Sequence, residues 1–380
     1  MSFIAPTQNP LLLPDCGIRS QFLPHIIAEH AQARIKFFLE TGYEKDSTNI
    51  KTMIGPSGSG KSQIIKDLMR QKMFRPHWRF GDTIVYMDSE GPKYEGVTIS
   101  GTPGAGQVDF VERPATPEEI ALCQANGVVV RPIAYAEIPS DTSRKGILQK
   151  ILKGLGIDVK TKSASVSDLM AQAHLQLKKQ KCRLLVLDEA QQIATESRVY
   201  EYAEFIRQFV NEGTVPLLLV GLPDAIKLTQ DNDQVARRSK TCLPYGALDW
   251  KVPIEKQAFD EILGNYEATL QKANRPFPVT HEKYAKAFYR VSGGLISRSS
   301  QFLGAALDIA YLTPSKLLTN DIFKQAYREF RFLYASMHAV PCPFTYVIED
   351  EKELVPAAFD TGAKAPPEKP KRARAKKPTP

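Results

Sequence analysis

Gly55-Pro56-Ser57-Gly58-Ser59-Gly60-Lys61-Ser62 satisfies the pattern G-x-x-x-x-G-K-[ST] without a mismatch. The residue types follow from the chemistry of phosphate binding. Glycines let backbone N–H groups curl around an anion, and the positive end of the helix that follows points at it. Asn49 to Ile54 reads as a short strand entering the turn. Gln63 to Met73 reads as a helix leaving it, with Ile64, Ile65 and Leu68 inward. Strand, glycine turn and helix together give the pattern its context. Lys61 is expected to reach the β- and γ-phosphates of ATP, and the Ser62 hydroxyl to coordinate Mg²⁺. The whole run from Gly55 to Gln63 is the expected nucleotide contact.

The second half of such a site is Leu184-Leu-Val-Leu187-Asp188-Glu189. A wholly apolar strand is what a parallel sheet covered on both faces requires. Ligands in open α/β sheets sit at the carboxyl ends of the strands, where this one presents two carboxylates. Asp188 is expected in the Mg²⁺ shell, and Glu189 to orient and deprotonate an attacking water. Alone, an Asp-Glu pair after an apolar strand is a solvated helix start. With the glycine turn upstream it reads as a catalytic pair for ATP hydrolysis. The 127 residues between Lys61 and Asp188 leave room for an insertion at about 74–127.

Further outward, strands and helices alternate. Thr83 to Met87 reads as a strand, Gly91 to Gly106 as loop, and Val128 to Ile138 as a buried strand ending at Pro139. Asp141 or Thr142 is expected to cap a helix bearing Ile147, Leu148, Ile151 and Leu152. Helices at about Val166 to Lys179 and Val199 to Asn211 flank the apolar strand, and Val215 to Val220 forms the next one. Alternation of this kind predicts a doubly wound α/β sheet. After Trp250 the strand signal stops. Glu255 to Leu270, His281 to Val291, Ser297 to Tyr311 and Thr319 to Ala335 read as helices of a small lid. The expected division is an N-terminal extension and helix over 1–48, an α/β core over 49–248, a helical lid over 249–338, and a disordered tail over 339–380.

The chain has 380 residues, 43% hydrophobic and 24% charged, with a net charge of +8. Residues 361–380 carry seven basic side chains and one acid, Glu368. They therefore hold +6 of the total, leaving +2 for the other 360 residues. Global charge thus says little about DNA. The Pro-, Ala- and Lys-rich end reads either as a solubilising tail or as an arm for DNA or a partner. No apolar run approaches the ~20 residues of a membrane span, and no signal-peptide pattern opens the chain. The five cysteines have no CxxC spacing, which argues for free thiols and a cytoplasmic location.

Arg237 and Arg238 follow the Val215–Val220 strand after a helix and a polar turn. They read either as a solvated basic pair or as a finger reaching a neighbouring subunit's γ-phosphate. Arg298 opens a lid helix. It reads as a surface arginine or as a contact to nucleotide in the same subunit. Arg144, Lys145, Lys150 and Lys153 lie just after Pro139 and read as a solvated helix face or as phosphate contacts to duplex DNA.

Six elements occur in order: Pro56-Ser-Gly-Ser-Gly-Lys61-Ser, Ala136-Glu-Ile-Pro139-Ser, Leu187-Asp-Glu-Ala190, Leu219-Val-Gly221-Leu-Pro223-Asp-Ala225, Gln234-Val-Ala-Arg-Arg238 and Gly294-Leu-Ile-Ser-Arg298. Over about residues 20–335 the chain resembles the TnsC/TniB family of AAA+ transposition regulators. The resemblance implies an ATP-dependent, DNA-binding oligomer, ring or filament, linking a target-selecting protein to transposase subunits. Hydrolysis in such proteins disassembles the oligomer. The chain departs from the AAA+ pattern at Val220-Gly221, where a polar sensor residue usually ends the fourth strand. Competing readings are a replication-initiator-like or secretion-associated AAA+ ATPase, a P-loop nucleotide kinase, and a scaffold using ATP as an assembly switch. The span after residue 340 is too short and too Pro-rich for the winged helix of an initiator, and no membrane segment supports secretion. A small-molecule kinase has no need of Glu189 or of a lid of about 90 residues.

Overall fold

The computed structural model describes residues 16–19, 22–41, 49–88, 91–100, 107–140, 142–158, 164–213, 215–230, 233–239, 242–334, 337–338 and 340–356. The first fifteen residues, Asp141 as a cap and the basic end of the tail lie outside them.

Helix α1 (Ile26–Thr41) precedes strand β1 (Ile50–Ile54), and helix α2 (Lys61–Arg70) follows the glycine turn. A run of short strands comes next: β2 (His77–Phe80), β3 (Thr83–Asp88), β4 (Gly91–Ser100) and β5 (Gln107–Pro114). Helix α3 (Pro117–Asn126) and strand β6 (Val128–Val130) end this stretch. The chain then returns to the alternating pattern with β7 (Ile133–Glu137), α4 (Arg144–Gly154), α5 (Val166–Lys179), β8 (Leu184–Asp188), α6 (Val199–Asn211) and β9 (Leu217–Gly221). Short helices α7 (Lys227–Gln230) and α8 (Asp233–Arg238) lead to β10 (Cys242–Pro244).

Two sheets result. The first has the order β10-β1-β9-β8-β7 with every neighbouring pair parallel. Strand β8 is apolar from Leu184 to Leu187 and β9 from Leu217 to Val220, because both faces are covered. Leu185 and Leu187 of β8, with Leu217 and Leu219 of β9, pack under α4, α5 and α6. Leu184, Val186, Leu218 and Val220 face α1 and α2 on the other side. Period-two alternation thus feeds two separate cores from the same strands.

The second sheet is antiparallel, order β5-β4-β3-β2-β6. Two sequence expectations are corrected here. Residues 91–100, read as loop for their glycines and proline, form β4, which pairs with both β3 and β5; residues 101–106 lie outside the described ones. The stretch Val128 to Ile138 is not one strand. Arg131-Pro132 divides it, giving β6 to the antiparallel sheet and β7 to the parallel one. The Pro132 carbonyl accepts the N–H of Arg183 at 2.7 Å, locking the crossover against the start of β8.

Helices α9 (Pro253–Lys272), α10 (Glu282–Ser292), α11 (Ile296–Tyr311) and α12 (Asn320–Phe330) enclose a third core. Phe323 stacks on Phe344 with centroids 4.9 Å apart and planes 10° from parallel. The expected tail therefore starts too early. Phe344, Ile348 and Leu354 are buried in the helical core, so residues 340–356 pack as part of the lid. Cys16, Ile18 and Leu23 enter the same core from the other end of the chain. The Ile26 N–H donates to Glu261 Oε2 at 2.8 Å, joining α1 to α9.

Candidate functional site

The turn between β1 and α2 is shaped by its glycines. Gly60 is the residue before α2 and has φ 102°, a left-handed conformation that an L side chain would strain. No side chain caps α2, unlike α4 or α5, where Ser143 and Ser165 accept first-turn N–H groups. The first-turn amides of α2 are thus left to another acceptor. The Ser143 cap also replaces the Asp141 or Thr142 that the sequence suggested.

The Lys61 ammonium is turned back on its own loop. It donates to the carbonyls of Gly55 at 2.9 Å and Pro56 at 2.8 Å, and to Ser59 Oγ at 3.3 Å. Burial pulls its pKa down to about 8 against the opposing pull of Asp188 and Glu189. Both carboxylates therefore act on the lysine charge. Asp188 ends β8 and is only 2% exposed. Its Oδ2 accepts from Tyr135 Oη at 2.6 Å and its Oδ1 from the Glu189 N–H at 2.9 Å. Glu189 turns the chain with φ 60° into a 3₁₀ turn, Ala190–Ile193.

Lys61 and Glu189 line one cleft of about 270 Å³; Asp188, directly before Glu189, is not in its lining. Ser57, Gly58, Gly60, Lys61, Ser62 and Gln63 form one wall, and Glu189, Gln191, Gly221 and Leu222 form another. Phe22, Leu23, His25, Tyr245 and Ile296 supply an apolar end. The volume sits just below the ~300 Å³ at which small-molecule sites begin, with the Lys61 side chain folded into its own loop. Polar loop at one end and aromatic and aliphatic side chains at the other match a nucleotide's two ends. The Ser62 hydroxyl and the Asp188 carboxylate are hard oxygen donors. Mg²⁺ takes one or two such groups beside substrate phosphates, so the residues fit that ion.

The lid closes on the loop. The Ser297 N–H donates to the Gly58 carbonyl at 3.1 Å. On α11 the cleft receives Ile296, Ser297 and Ser300, which share one helix face. Arg298, expected at the nucleotide, lies about 100° round from Ser297 at helical spacing. Its guanidinium stacks 4.2 Å from the centroid of Tyr334 and is absent from the cleft lining. The lining arginine is Arg19, which pairs with Asp308 at 2.5 Å.

Arg237 and Arg238 end α8, the first exposed and the second half-buried, and neither lines the cleft. Arg144, Lys145, Lys150 and Lys153 all lie on α4, also away from the cleft. Arg144 pairs with Glu201 at 2.9 Å, whereas Lys150 and Lys153 are exposed.

Sequence reasoning missed Tyr135, Gln191, His25 and Tyr245. Gln191 lay two residues past Glu189 and was open to notice. His25 and Tyr245 meet at 3.0 Å across 220 residues of chain, a pairing with no local signal.

The "Bacterial TniB protein" family model matches residues 80–244. Solved structures share the fold at low identity. The Aeropyrum pernix ORC2 protein in ADPNP–ADP complexes is 17% identical, with 82% of this chain and 71% of that one covered at a TM-score of 0.52. Cdc6p from Pyrobaculum aerophilum is 13% identical, covering 83% and 70%, TM-score 0.50. The Aeropyrum pernix ORC1 protein in complex with DNA is 15% identical, covering 85% and 69%, TM-score 0.50. No curated protein matches the chain. The parallel sheet, the cleft at its carboxyl edge and the helical lid are those of an AAA+ fold, and residues 80–244 carry the TniB family match, consistent with the TnsC/TniB type of AAA+ regulator.

Proposed function

We propose that this chain is an ATP-dependent, DNA-binding oligomeric regulator of DNA transposition, linking a target-selecting protein to transposase subunits. The observation that carries the reading is that the Lys61 loop and Glu189 line one cleft, with Asp188 next to Glu189 acting on the Lys61 charge, in a chain whose residues 80–244 match TniB. Lys61 leaves its loop carbonyls to engage the β- and γ-phosphates, and the uncapped first-turn amides of α2 hold the same anion. Ser62 and Asp188 would hold Mg²⁺, whose chemistry there would be to neutralise charge on the phosphates. Glu189 orients and deprotonates the attacking water. Arg237 or Arg238 reaches the γ-phosphate of the adjoining subunit, so a complete site requires self-association into a ring or filament. Lys150 and Lys153 neutralise DNA phosphates. Among the described residues no helix is long and apolar enough to cross a membrane.

Electron microscopy of the protein with ATP and duplex DNA tests this directly. Rings or filaments on DNA are expected, and persistent monomers would refute the proposal. Glu189→Gln is expected to keep ATP binding, slow hydrolysis at least about a hundredfold, and hyperstabilise the DNA-bound oligomer. Unchanged hydrolysis in that variant removes Glu189 from the mechanism.

A further inference from the structure

The left-handed backbone at Glu189 swings the 3₁₀ turn so that the Gln191 side chain comes back over it. Gln191 Nε2 donates to Glu189 Oε2. At its other atom, Gln191 Oε1 accepts the N–H of Leu222 at 3.0 Å. Leu222 is the first residue past β9, and the preceding carbonyl, of Gly221, accepts the Gly55 N–H at 3.2 Å. One carboxamide therefore ties Glu189 to the same strand end on which the Lys61 loop begins. Val220 and Gly221 bring no polar side chain to that end, and Gln191 does.

The fold also keeps room for this bridge. A Cβ on Gly221 would stand 2.5 Å from Gln191 Oε1, inside any real contact. A carboxamide suits the position because it offers a donor to the carboxylate and an acceptor to the amide. Glutamate would keep the acceptor but set a second carboxylate against Glu189. Alanine would leave both partners unmet.

We propose that Gln191 is a positioning residue that fixes the Glu189 carboxylate and transmits its placement to the segment following β9. That segment runs through the 3₁₀ turn Pro223–Ile226 and α7 to α8, which carries Arg237 and Arg238. The inference rests on the ATPase reading. It adds that the water-activating carboxylate and the subunit-edge arginines share one mechanical link.

The test compares Gln191→Ala, Gln191→Glu and Gly221→Ala with wild type in steady-state ATP hydrolysis, alongside direct titration with a fluorescent ATP analogue. Gln191→Ala is expected to lower kcat tenfold or more, with the nucleotide Kd within about threefold of wild type. Gly221→Ala, which displaces Gln191 without altering it, is expected to give the same split. Gln191→Glu, which keeps the acceptor for Leu222 but removes the donor to Glu189, is expected to give the same split. A merely structural role would not separate kcat from Kd in this way. Hydrogen exchange supplies a readout independent of turnover: peptides spanning 222–238 are expected to gain protection on nucleotide binding in wild type and to gain less in Gln191→Ala. A kcat within twofold of wild type together with unaltered exchange overturns the inference while leaving the ATPase reading intact. Wild-type protein that hydrolyses no ATP overturns the ATPase reading itself.

Discussion

Tyr135 Oη donates to Asp188 Oδ2 at 2.6 Å across the β7–β8 ladder, so the acid expected to hold Mg²⁺ is itself held by a neighbouring strand. Burial, then the adjacent carboxylate, keeps the phenol protonated well above its usual range. Asp188 is 2% exposed and, among the described residues, accepts one other hydrogen bond, from the Glu189 N–H. Tyr135→Phe leaves a buried carboxylate short of a donor, which costs about 1–3 kcal/mol. The apo protein should melt lower by several degrees. The loss should shrink with Mg²⁺ and ATP present, because the cation offers Asp188 a new partner. An equal loss in both states would mean that Asp188 does not meet the cation.

Lys61 gives a pH signature. Its pKa stands near 8 in the structure described, because burial outweighs the attraction of Asp188 and Glu189. Nucleotide phosphates favour the ammonium form. Affinity for ATP is therefore full below pH 8 and falls as pH rises through it, by up to about tenfold per pH unit. Lys61→Ala should abolish nucleotide binding and ATP-dependent assembly. Normal ATP affinity in that variant would falsify the loop assignment. Calorimetric titration from pH 7 to 10 measures both effects.

His25 predicts how the apolar end of the cleft fails in acid. Its Nδ1 accepts the Ala28 N–H at 3.3 Å, so the ring proton sits on Nε2 and faces Tyr245 Oη at 3.0 Å. Burial lowers its pKa from 6.5 to about 4, with Glu261 opposing. The folded state resists protonation that the unfolded state accepts. Its stabilising contribution is complete above pH 6.5 and is lost as pH falls from there towards 4, by as much as about 3 kcal/mol. His25→Asn keeps a helix cap and removes the titration. Melting curves of wild type and variant at pH 7.5 and pH 5 should converge at the lower value. An undiminished gap would exclude His25 as the acid-sensitive group.

What the sequence made legible was local. The Gly55–Ser62 turn lies between β1 and α2, and Asp188 ends β8, because each pattern is complete within a few consecutive residues. The antiparallel sheet was not legible because pairing far along the chain decides it. Gly91, Pro92 and Gly96 look like loop until β4 is seen between β3 and β5. Tyr94 folds over Gly96 closely enough that a Cβ there would meet its hydroxyl at 1.9 Å. The same holds for residues 340–356, whose few apolar side chains find their core only in helices that precede them. Arg298 shows the limit on the other side. Its helix was predicted, but a difference of one residue decides which face meets the cleft.

The α4 basic residues divide by partnership, and so should their effect on DNA. Arg144 is engaged with Glu201, whereas Lys150 and Lys153 are exposed and have no ion pair among the described residues. An arginine already neutralised by a carboxylate gains less from a phosphate. Lys150→Ala with Lys153→Ala should therefore weaken duplex binding more than Arg144→Ala, and equally for unrelated sequences. If each lysine covers one phosphate, the plot of log affinity against log salt should become shallower by about 1.8. Fluorescence anisotropy with a labelled duplex between 50 and 200 mM salt, with ATP present throughout, measures that slope. A slope unchanged from wild type would move the DNA path off α4 and leave the basic end of the chain, 357–380, as the next place to look.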